Sequence, residues 1–452
     1  MATEEDARAV PASARSRRRP SRLAQVASGA MGNPESAADR EFDIVLYGAT
    51  GFVGKLTADY LAAAGGGARI ALAGRSTDRL VAVREALGEA AQSWPLIEAD
   101  ASQPSTLNAM AARTRVVIST VGPYMRYGLP LVAACAAAGT DYADLTGEPL
   151  FVRECIDLYH KQAVDTGARI VHACGFDSIP SDLTVFALYR QADRDGAGQL
   201  GDTNFVVRRF AGGVSGGTVA SMTNLFREAS ADPEARRLLN DPYTLTPDRS
   251  AEPELGAQPD ARWRRGRDIA PELDGYWVGA FAMALPNTRI VRRSNALLDY
   301  SYGKRFEYAE QMSVGRSIIA PLAAAMATGG NVATVELGSR FLDRVPSRLL
   351  ERVLPKAGTG PSERTREQGH YTVETYTTTS TGARYVARMA QQGDPGYKAT
   401  SVLLGESGLA LALDREQLSD LRGVLTPAAA MGDALMARFP AAGVSLEAVR
   451  LN

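Results

Sequence analysis

Phe42-Asp43-Ile44-Val45-Leu46-Tyr47 runs directly into Gly48-Ala49-Thr50-Gly51-Phe52-Val53-Gly54, and a helical pattern follows. An apolar strand, a turn with glycine at every third position and then a helix form the opening of a dinucleotide-binding unit. Gly48 permits the tight turn, Gly51 lets backbone amides approach a pyrophosphate, and Gly54 lets the helix pack closely on the strand. Further short apolar runs lie at residues 69–73, 94–99, 116–121, 141–145 and 169–173, with helical patterns at 54–64, 77–87, 103–111, 128–138 and 149–166 between them. This alternation predicts an α/β fold whose first domain, residues 41–180, is a doubly wound Rossmann domain with a parallel sheet.

Beyond Pro180 the pattern changes. Residues 203–211, 276–285, 288–299 and 305–312 read as strands, and 371–378 and 384–391 flank Thr381-Gly382 as a hairpin. Such closely spaced strands predict a second, α+β substrate or lid domain over 181–400, built on a mixed or antiparallel sheet. The helical pattern of 401–439 predicts that the C-terminal segment, 401–452, packs back on the Rossmann domain. Two polar stretches, 241–275 with its repeated prolines and 355–369, interrupt the second domain, and the first reads as a lid. Residues 1–40 lack aromatic side chains and carry Arg15, Arg17, Arg18, Arg19 and Arg22, which predicts a disordered basic tail, with Met31 as an alternative first residue.

With 50 Lys and Arg against 51 Asp and Glu, the 452-residue chain has no global field to attract nucleic acid. Cys135, Cys155 and Cys174 form no C-x-x-C pair and the three histidines are scattered, so neither a disulfide framework nor a metal site is expected. His172 and Cys174 share one face of the sixth strand and read as buried structural residues. Glu4, Glu5 and Asp6 precede any apolar stretch, and the apolar run 318–326 is broken by Pro321. The expectation is a cytoplasmic protein with no signal peptide and no transmembrane segment, leaving room for peripheral lipid contact.

The strand ends supply the candidate site. Gly48, Thr50, Gly51, Phe52, Val53 and Gly54 form the cofactor loop, and the second strand ends in Arg75-Ser76, where an NAD enzyme would carry a carboxylate for the ribose. A guanidinium there pairs instead with a 2′-phosphate, which points to NADPH. Asp100 closes the third strand, facing the adenine or capping the next helix. Thr120, Val121 and Gly122 end the fourth strand and are small enough for a nicotinamide to lie against. Tyr124 and Tyr127 follow and are expected to reach into the cleft. Asp177 and Ser178, in the turn Cys174-Gly175-Phe176-Asp177-Ser178-Ile179-Pro180-Ser181-Asp182, are further catalytic candidates, and Ser181 or Asp182 would cap the next helix. Tyr300-x-x-x-Lys304 matches the Tyr/Lys pair of short-chain dehydrogenases, but it lies far beyond the glycine loop in a strand-like segment and reads as chance.

Together the glycine loop, Ala73-Gly74-Arg75, Val121-Gly122-Pro123-Tyr124, Asp141-Tyr142-Ala143-Asp144-Leu145-Thr146-Gly147-Glu148 and the Gly175–Asp182 turn resemble the saccharopine dehydrogenase-like oxidoreductases. Within them, the sequence from about Glu41 onward is most similar to the trans-acting enoyl reductases that serve phthiocerol and phenolphthiocerol polyketide synthases. Ala251–Asp260, Val291–Leu297 and Leu425–Leu435 extend the resemblance. It implies NADPH-dependent reduction of a carbon–carbon double bond in an acyl chain held on a synthase acyl carrier, and it supplies no motif for the proton donor. A saccharopine-type imine reductase and a non-catalytic NADP-binding accessory protein of a lipid-synthesis complex are the alternatives. An apolar channel, clustered arginines beside the nicotinamide, or a blocked nicotinamide face would tell the three apart.

Overall fold

Six strands of the first sheet follow one another along the chain: β1 (Phe42–Tyr47), β2 (Ile70–Gly74), β3 (Leu96–Glu98), β4 (Thr114–Ser119), β5 (Asp141–Asp144) and β6 (Arg169–Val171). In this computed structural model the described residues are 40–212, 227–317, 319–326 and 360–452, with Ser221 and Leu225. They belong to one compact unit, Ser36–Asn452. Residues 1–39 of the expected tail, Ile318, and residues 355–359 of the second polar stretch lie outside them. Arg40 is already part of the fold, donating to the carbonyl of Thr114 at 2.6 Å.

Eight more strands complete two sheets: β7 (Leu200–Ala211), β8 (Arg264–Arg265), β9 (Trp277–Ala280), β10 (Glu307–Gly315), β11 (His370–Thr379), β12 (Arg384–Gln392), β13 (Gly423–Leu425) and β14 (Val444–Arg450). The first sheet runs β13-β6-β5-β4-β1-β2-β3 and is parallel throughout; the second runs β14-β12-β11-β7-β10-β9-β8 and is mixed, β7 and β10 being its one parallel pair. The reversal of strand order at β1 and β4 is the doubly wound arrangement, which opens a crevice at the carboxyl ends of those strands. Every residue of β1 is buried, with Ile44 and Leu46 in one core and Val45 and Tyr47 in another, as expected of a strand covered by helices on both faces.

Three expectations change. Residues 288–299 are not a strand: Ala284–Leu297 is a helix, buried from Pro286 through Asn295. Its buried positions include Asn287, Arg289, Arg292, Arg293, Ser294 and Asn295, so apolar residues do not recur at the helical spacing, and Thr288, Ile290 and Val291 imitate a strand. Residues 401–439 are not continuous helix. The Thr400–Leu413 and Pro427–Arg438 helices are separated by β13, which adds a seventh strand to the first sheet by pairing Val424 with Ile170. Residues 241–275 are not featureless, since Leu245, Ala270 and Leu273 are buried and 3-10 turns form at Gly266–Asp268 and Pro271–Leu273.

The Ile179–Arg194 helix leaves the first sheet and crosses the second, touching β7, β11, β12 and β14. It is buried from Ile179 to Leu188, so its polar side chains must find partners inside the protein. Asp182 accepts from Ser294 Oγ at 2.5 Å and from the Ala428 amide at 2.8 Å; Ser294 also meets Thr426 at 2.6 Å. Asn287 accepts from Ser178 at 2.9 Å and donates to Ser181 at 3.2 Å and to Glu310 at 2.9 Å, while Tyr308 donates to Glu310 at 2.9 Å. Burial pushes the Glu310 carboxyl up to about 8 and Asp182 up to about 7, against the hydrogen bonds that favour their charged forms.

Both values lie above those of an unfolded chain, about 4.3 for Glu and 3.9 for Asp. The native state therefore keeps protons that the unfolded state has released, and this contribution to stability is lost as pH rises from about 4.5 to about 8. Glu310→Gln preserves the shape and stays neutral, so its Tm should fall less steeply than that of the wild type between about pH 5 and about pH 8. Parallel slopes in a thermal scan series would rule out Glu310 as a source of the dependence.

Candidate active site

The turn after β1 is built around close contacts. Gly48 has φ +89°, and a Cβ added there would stand 2.7 Å from both Thr120 Oγ1 and Val121 Cγ2. A Cβ on Gly54 would stand 2.1 Å from the Gly48 carbonyl oxygen, so the Phe52–Ala64 helix sits on the strand at a distance no side chain permits. Thr120 Oγ1 donates to the Gly48 carbonyl at 3.1 Å, locking the ends of β1 and β4 together. The helix begins without a side-chain cap and without an acidic residue in its first turn. Its first amides are thus available to an anion, and the helix dipole favours one. These features fit the pyrophosphate of a dinucleotide.

Arg75 is exposed at the end of β2, and Ser76 caps the following helix, accepting from the Arg79 amide at 3.5 Å. Asp100 closes a local turn, accepting from the Ser102 amide at 2.8 Å and hydroxyl at 2.9 Å; those bonds first, and the Arg75 charge after them, hold its carboxyl below the usual range. It does not cap the Pro104–Ala112 helix, whose N-cap is Gln103. The structure therefore gathers Gly48, Thr50, Gly51, Phe52, Val53, Gly54, Thr120, Val121 and Gly122 around the β1 and β4 ends, with Arg75, Ser76 and Asp100 at the neighbouring β2 and β3 ends.

The three catalytic candidates divide. Tyr124, expected in the cleft, is 3% exposed and packs on Phe151; its hydroxyl donates to the Ser119 carbonyl at 3.0 Å and accepts from the Leu145 amide at 3.4 Å. Tyr127 is half-buried beneath Arg126. Ser178 is buried, its hydroxyl given to Asn287. Asp177 alone is half-exposed, has no side-chain partner among the described residues, and has its carboxyl pushed up to about 6 by desolvation. It follows β6, two strands or about 10 Å from β4. Tyr300 and Lys304 take no part: Tyr300 sits in a turn at φ 57° and donates to Glu252 at 3.3 Å.

Two groups escaped the sequence reading. Glu148, buried at the crevice wall, accepts from the Tyr124 and Met125 amides at 3.0 and 2.9 Å and from Ser221 at 2.6 Å, so it caps the Tyr124–Tyr127 turn of helix. Arg366 and Tyr397, some three hundred residues after the glycine loop, both reach Phe52: the guanidinium lies 5.4 Å above its ring and the phenol ring meets it edge-on at 4.9 Å. Arg366 thereby brings positive charge to the N-terminus of the Phe52–Ala64 helix. Only the Asp394-Pro395-Gly396 turn signal hinted at a special backbone nearby, where Pro395–Ala399 forms a π-helical turn.

Residues 44–171 match the family model described as the saccharopine dehydrogenase NADP binding domain. Fold and site define an NADP-binding oxidoreductase of the saccharopine dehydrogenase-like class. The trans-acting enoyl reductases of Mycobacterium bovis (strain BCG / Pasteur 1173P2) and Mycobacterium ulcerans (strain Agy99) are 66% and 65% identical to this chain over 418 residues, covering 92% of it and 100% of each relative. A Mycobacterium tuberculosis (strain ATCC 25618 / H37Rv) relative, whose name assigns the same activity provisionally, is 71% identical over 416 residues, covering 92% of this chain and 99% of its own. The chain belongs to the trans-acting enoyl reductase family. Among solved structures, apo saccharopine dehydrogenase from Saccharomyces cerevisiae aligns with 90% of this chain and 99% of its own at 16% identity and a TM-score of 0.49.

We propose that Arg75, exposed at the end of β2, reads the 2′-phosphate. A hydrogen bond to a charged group contributes about 1.5 to 3 kcal/mol, so Arg75→Ala should weaken NADPH binding roughly ten- to a hundredfold and leave NADH binding unchanged. Fluorescence titration with both cofactors measures this, and equal losses would assign Arg75 to the fold.

Proposed function

We propose that the chain reduces the carbon–carbon double bond of an α,β-unsaturated acyl thioester, presented in trans on the acyl carrier of a polyketide synthase, during cytoplasmic synthesis of phthiocerol and phenolphthiocerol lipids. The observation that carries this reading is identity of 66% and 65% along the whole length of relatives named trans-acting enoyl reductases. Bound NADPH supplies the hydride to the β-carbon. The chain itself must hold the enolate oxygen and return a proton to the α-carbon.

Asp177 is the group best suited to that proton. Desolvation holds its carboxyl at about 6, so a fraction stays protonated near neutrality, and it borders the crevice without an internal partner among the described residues. Tyr124 and Ser178 act from behind it in this reading: each spends its hydroxyl on a neighbouring group and so fixes the turns that carry Thr120 and Asp177. Apolar side chains support an acyl substrate. Phe176 packs on Tyr371 and Phe210 beside Asp177, and Ile319, Leu322 and Met326 are exposed on one short segment that an acyl chain or a lipid surface could cover. Among the described residues no helix is long and apolar enough to cross a membrane.

Asp177→Asn should lower turnover by about a hundredfold or more while NADPH affinity stays within about twofold. The wild-type rate should fall as pH rises through about 6, where the acid loses its proton, and the variant should lose that dependence. The reading itself is tested by mass spectrometry of an enoyl chain on its carrier incubated with enzyme and NADPH. A chain that gains no hydride and proton, under conditions where NADPH binds, would remove it.

A further inference from the structure

β7 and β10 pair in parallel from Asp202 with Glu307 to Val207 with Met312, and there their pairing stops. β7 continues to Ala211 along β11 while β10 continues to Gly315 along β9. The two strands part and leave a cleft with Arg208, Arg209 and Phe210 on one side, Met312 and Ser313 on the other, and His370 at the rim.

The register of β7 breaks at the same place. Val207 pairs with Val373, but Arg209, two residues on, pairs with Thr372, a single residue away on β11. This is a bulge, and it changes where side chains point. Val207 and Phe210 both pack into the main core, a spacing of three that strict two-residue alternation forbids. An unbroken strand would send Arg209 to the core side with Val207. The bulge keeps Arg208 and Arg209 together outside it.

Positive charge is in surplus there. Arg208 and Arg316 both lie over the Tyr276 ring, at 4.3 and 4.0 Å. Arg208 Nε is 3.5 Å from Glu374, but that carboxylate already accepts from Arg388 at 2.9 and 3.0 Å and from the Tyr376 hydroxyl at 2.7 Å. Arg208 Nη1 is buried with no acceptor, and Arg209 is exposed with no carboxylate partner among the described residues. Paired guanidinium groups with spare donors are the usual means of holding a phosphate oxygen fork.

Phe210, which lines this cleft, packs its ring 5.9 Å from that of the buried Phe176, the sequence neighbour of Asp177. The cationic rim is thus separated from Asp177 by a layer of aromatic rings. The carboxylates of an amino-acid-derived imine lie within a few bonds of the reacting carbon and would need arginines beside Asp177. The phosphate of a pantetheine arm lies many bonds from its thioester and needs them at a remove.

We propose that the bulged Arg208-Arg209 pair binds the phosphate of a 4′-phosphopantetheine arm and so aims the thioester past Phe210 and Phe176 towards Asp177; this rests on the thioester reading above. The full chain is titrated calorimetrically with 4′-phosphopantetheine, pantetheine, inorganic phosphate and glutarate. Phosphopantetheine should bind at least about tenfold more tightly than pantetheine, and Arg209→Ala, at an exposed position, should abolish that preference while Tm and NADPH affinity hold. Equal binding of the two arms, or an Arg209→Ala variant that keeps the preference, would overturn the proposal. Inorganic phosphate binding as tightly as phosphopantetheine would make this a free-anion site, and glutarate doing so would make it a dicarboxylate site; either also overturns it. A phosphate-free enoyl N-acetylcysteamine thioester separates this proposal from the reductase reading. Its reduction at equal rates by wild type and Arg209→Ala supports both, whereas a phosphate preference in a protein that reduces no thioester supports the anion site and removes only the reductase.

Discussion

A helix whose first ten residues are all buried imposes the central constraint. Ile179–Arg194 leaves the first sheet beside the crevice and lies under the second, so neither sheet can shift without disturbing it. Its first turns carry Ser181, Asp182 and Thr184, polar groups that would cost about 1 to 3 kcal/mol each if left unpaired. They are met by Ser294 and Asn287 of the Ala284–Leu297 helix, the Ala428 amide and Thr375, which lie on three other elements. Packing alone would tolerate several registers of one helix on another. This set of hydrogen bonds admits one, and the turn holding Asp177 is carried directly on the end of that helix.

The crevice follows a division of labour between its rim and its backing. Gly51, Arg75 and Gly122 are exposed, and the other cofactor positions are half-buried except Gly54. Behind them, buried carboxylates organise the strand ends. Asp144 accepts from the Thr146 and Ala173 amides at 3.1 Å and from Tyr142, and contacts His172 Nδ1 at 2.8 Å, while Glu148 holds the amides of Tyr124 and Met125. The carboxylates that back the site are thus spent on backbone N–H groups, and Asp100, the one carboxylate among the cofactor positions, accepts from the Ser102 amide and hydroxyl.

The Rossmann half was legible because its signals are local. Strand, glycine turn and helix follow each other within the span from Phe42 to Ala64, and each glycine has a steric reason that one sequence reveals. What stayed hidden is non-local. Ala284–Leu297 looked like a strand because the helix buries Asn287 and its arginines along with its apolar residues, so burial no longer follows the apolar period. β13 is three residues long, and nothing in Gly423-Val424-Leu425 announces a partner some 250 residues earlier. In the site, Tyr124 follows the end of β4 as the sequence indicates, but the direction of its side chain depends on Phe151 and Leu145, contacts no pattern encodes. Arg366 and Tyr397 reach Phe52 only through the tertiary fold.

β13 is the outermost strand of the first sheet and β14 of the second, and the Thr400–Leu413 helix between β12 and β13 covers β1, β4 and β5 so closely that a Cβ on Gly408 would stand 2.2 Å from Ile118. During synthesis, then, the dinucleotide-binding half emerges early yet remains open, with β6 as an unpaired edge and one apolar face uncovered until the last stretch leaves the ribosome. A chain of this design cannot mature domain by domain. Closure of the first sheet edge and covering of β1, β4 and β5 both wait on residues 400–425.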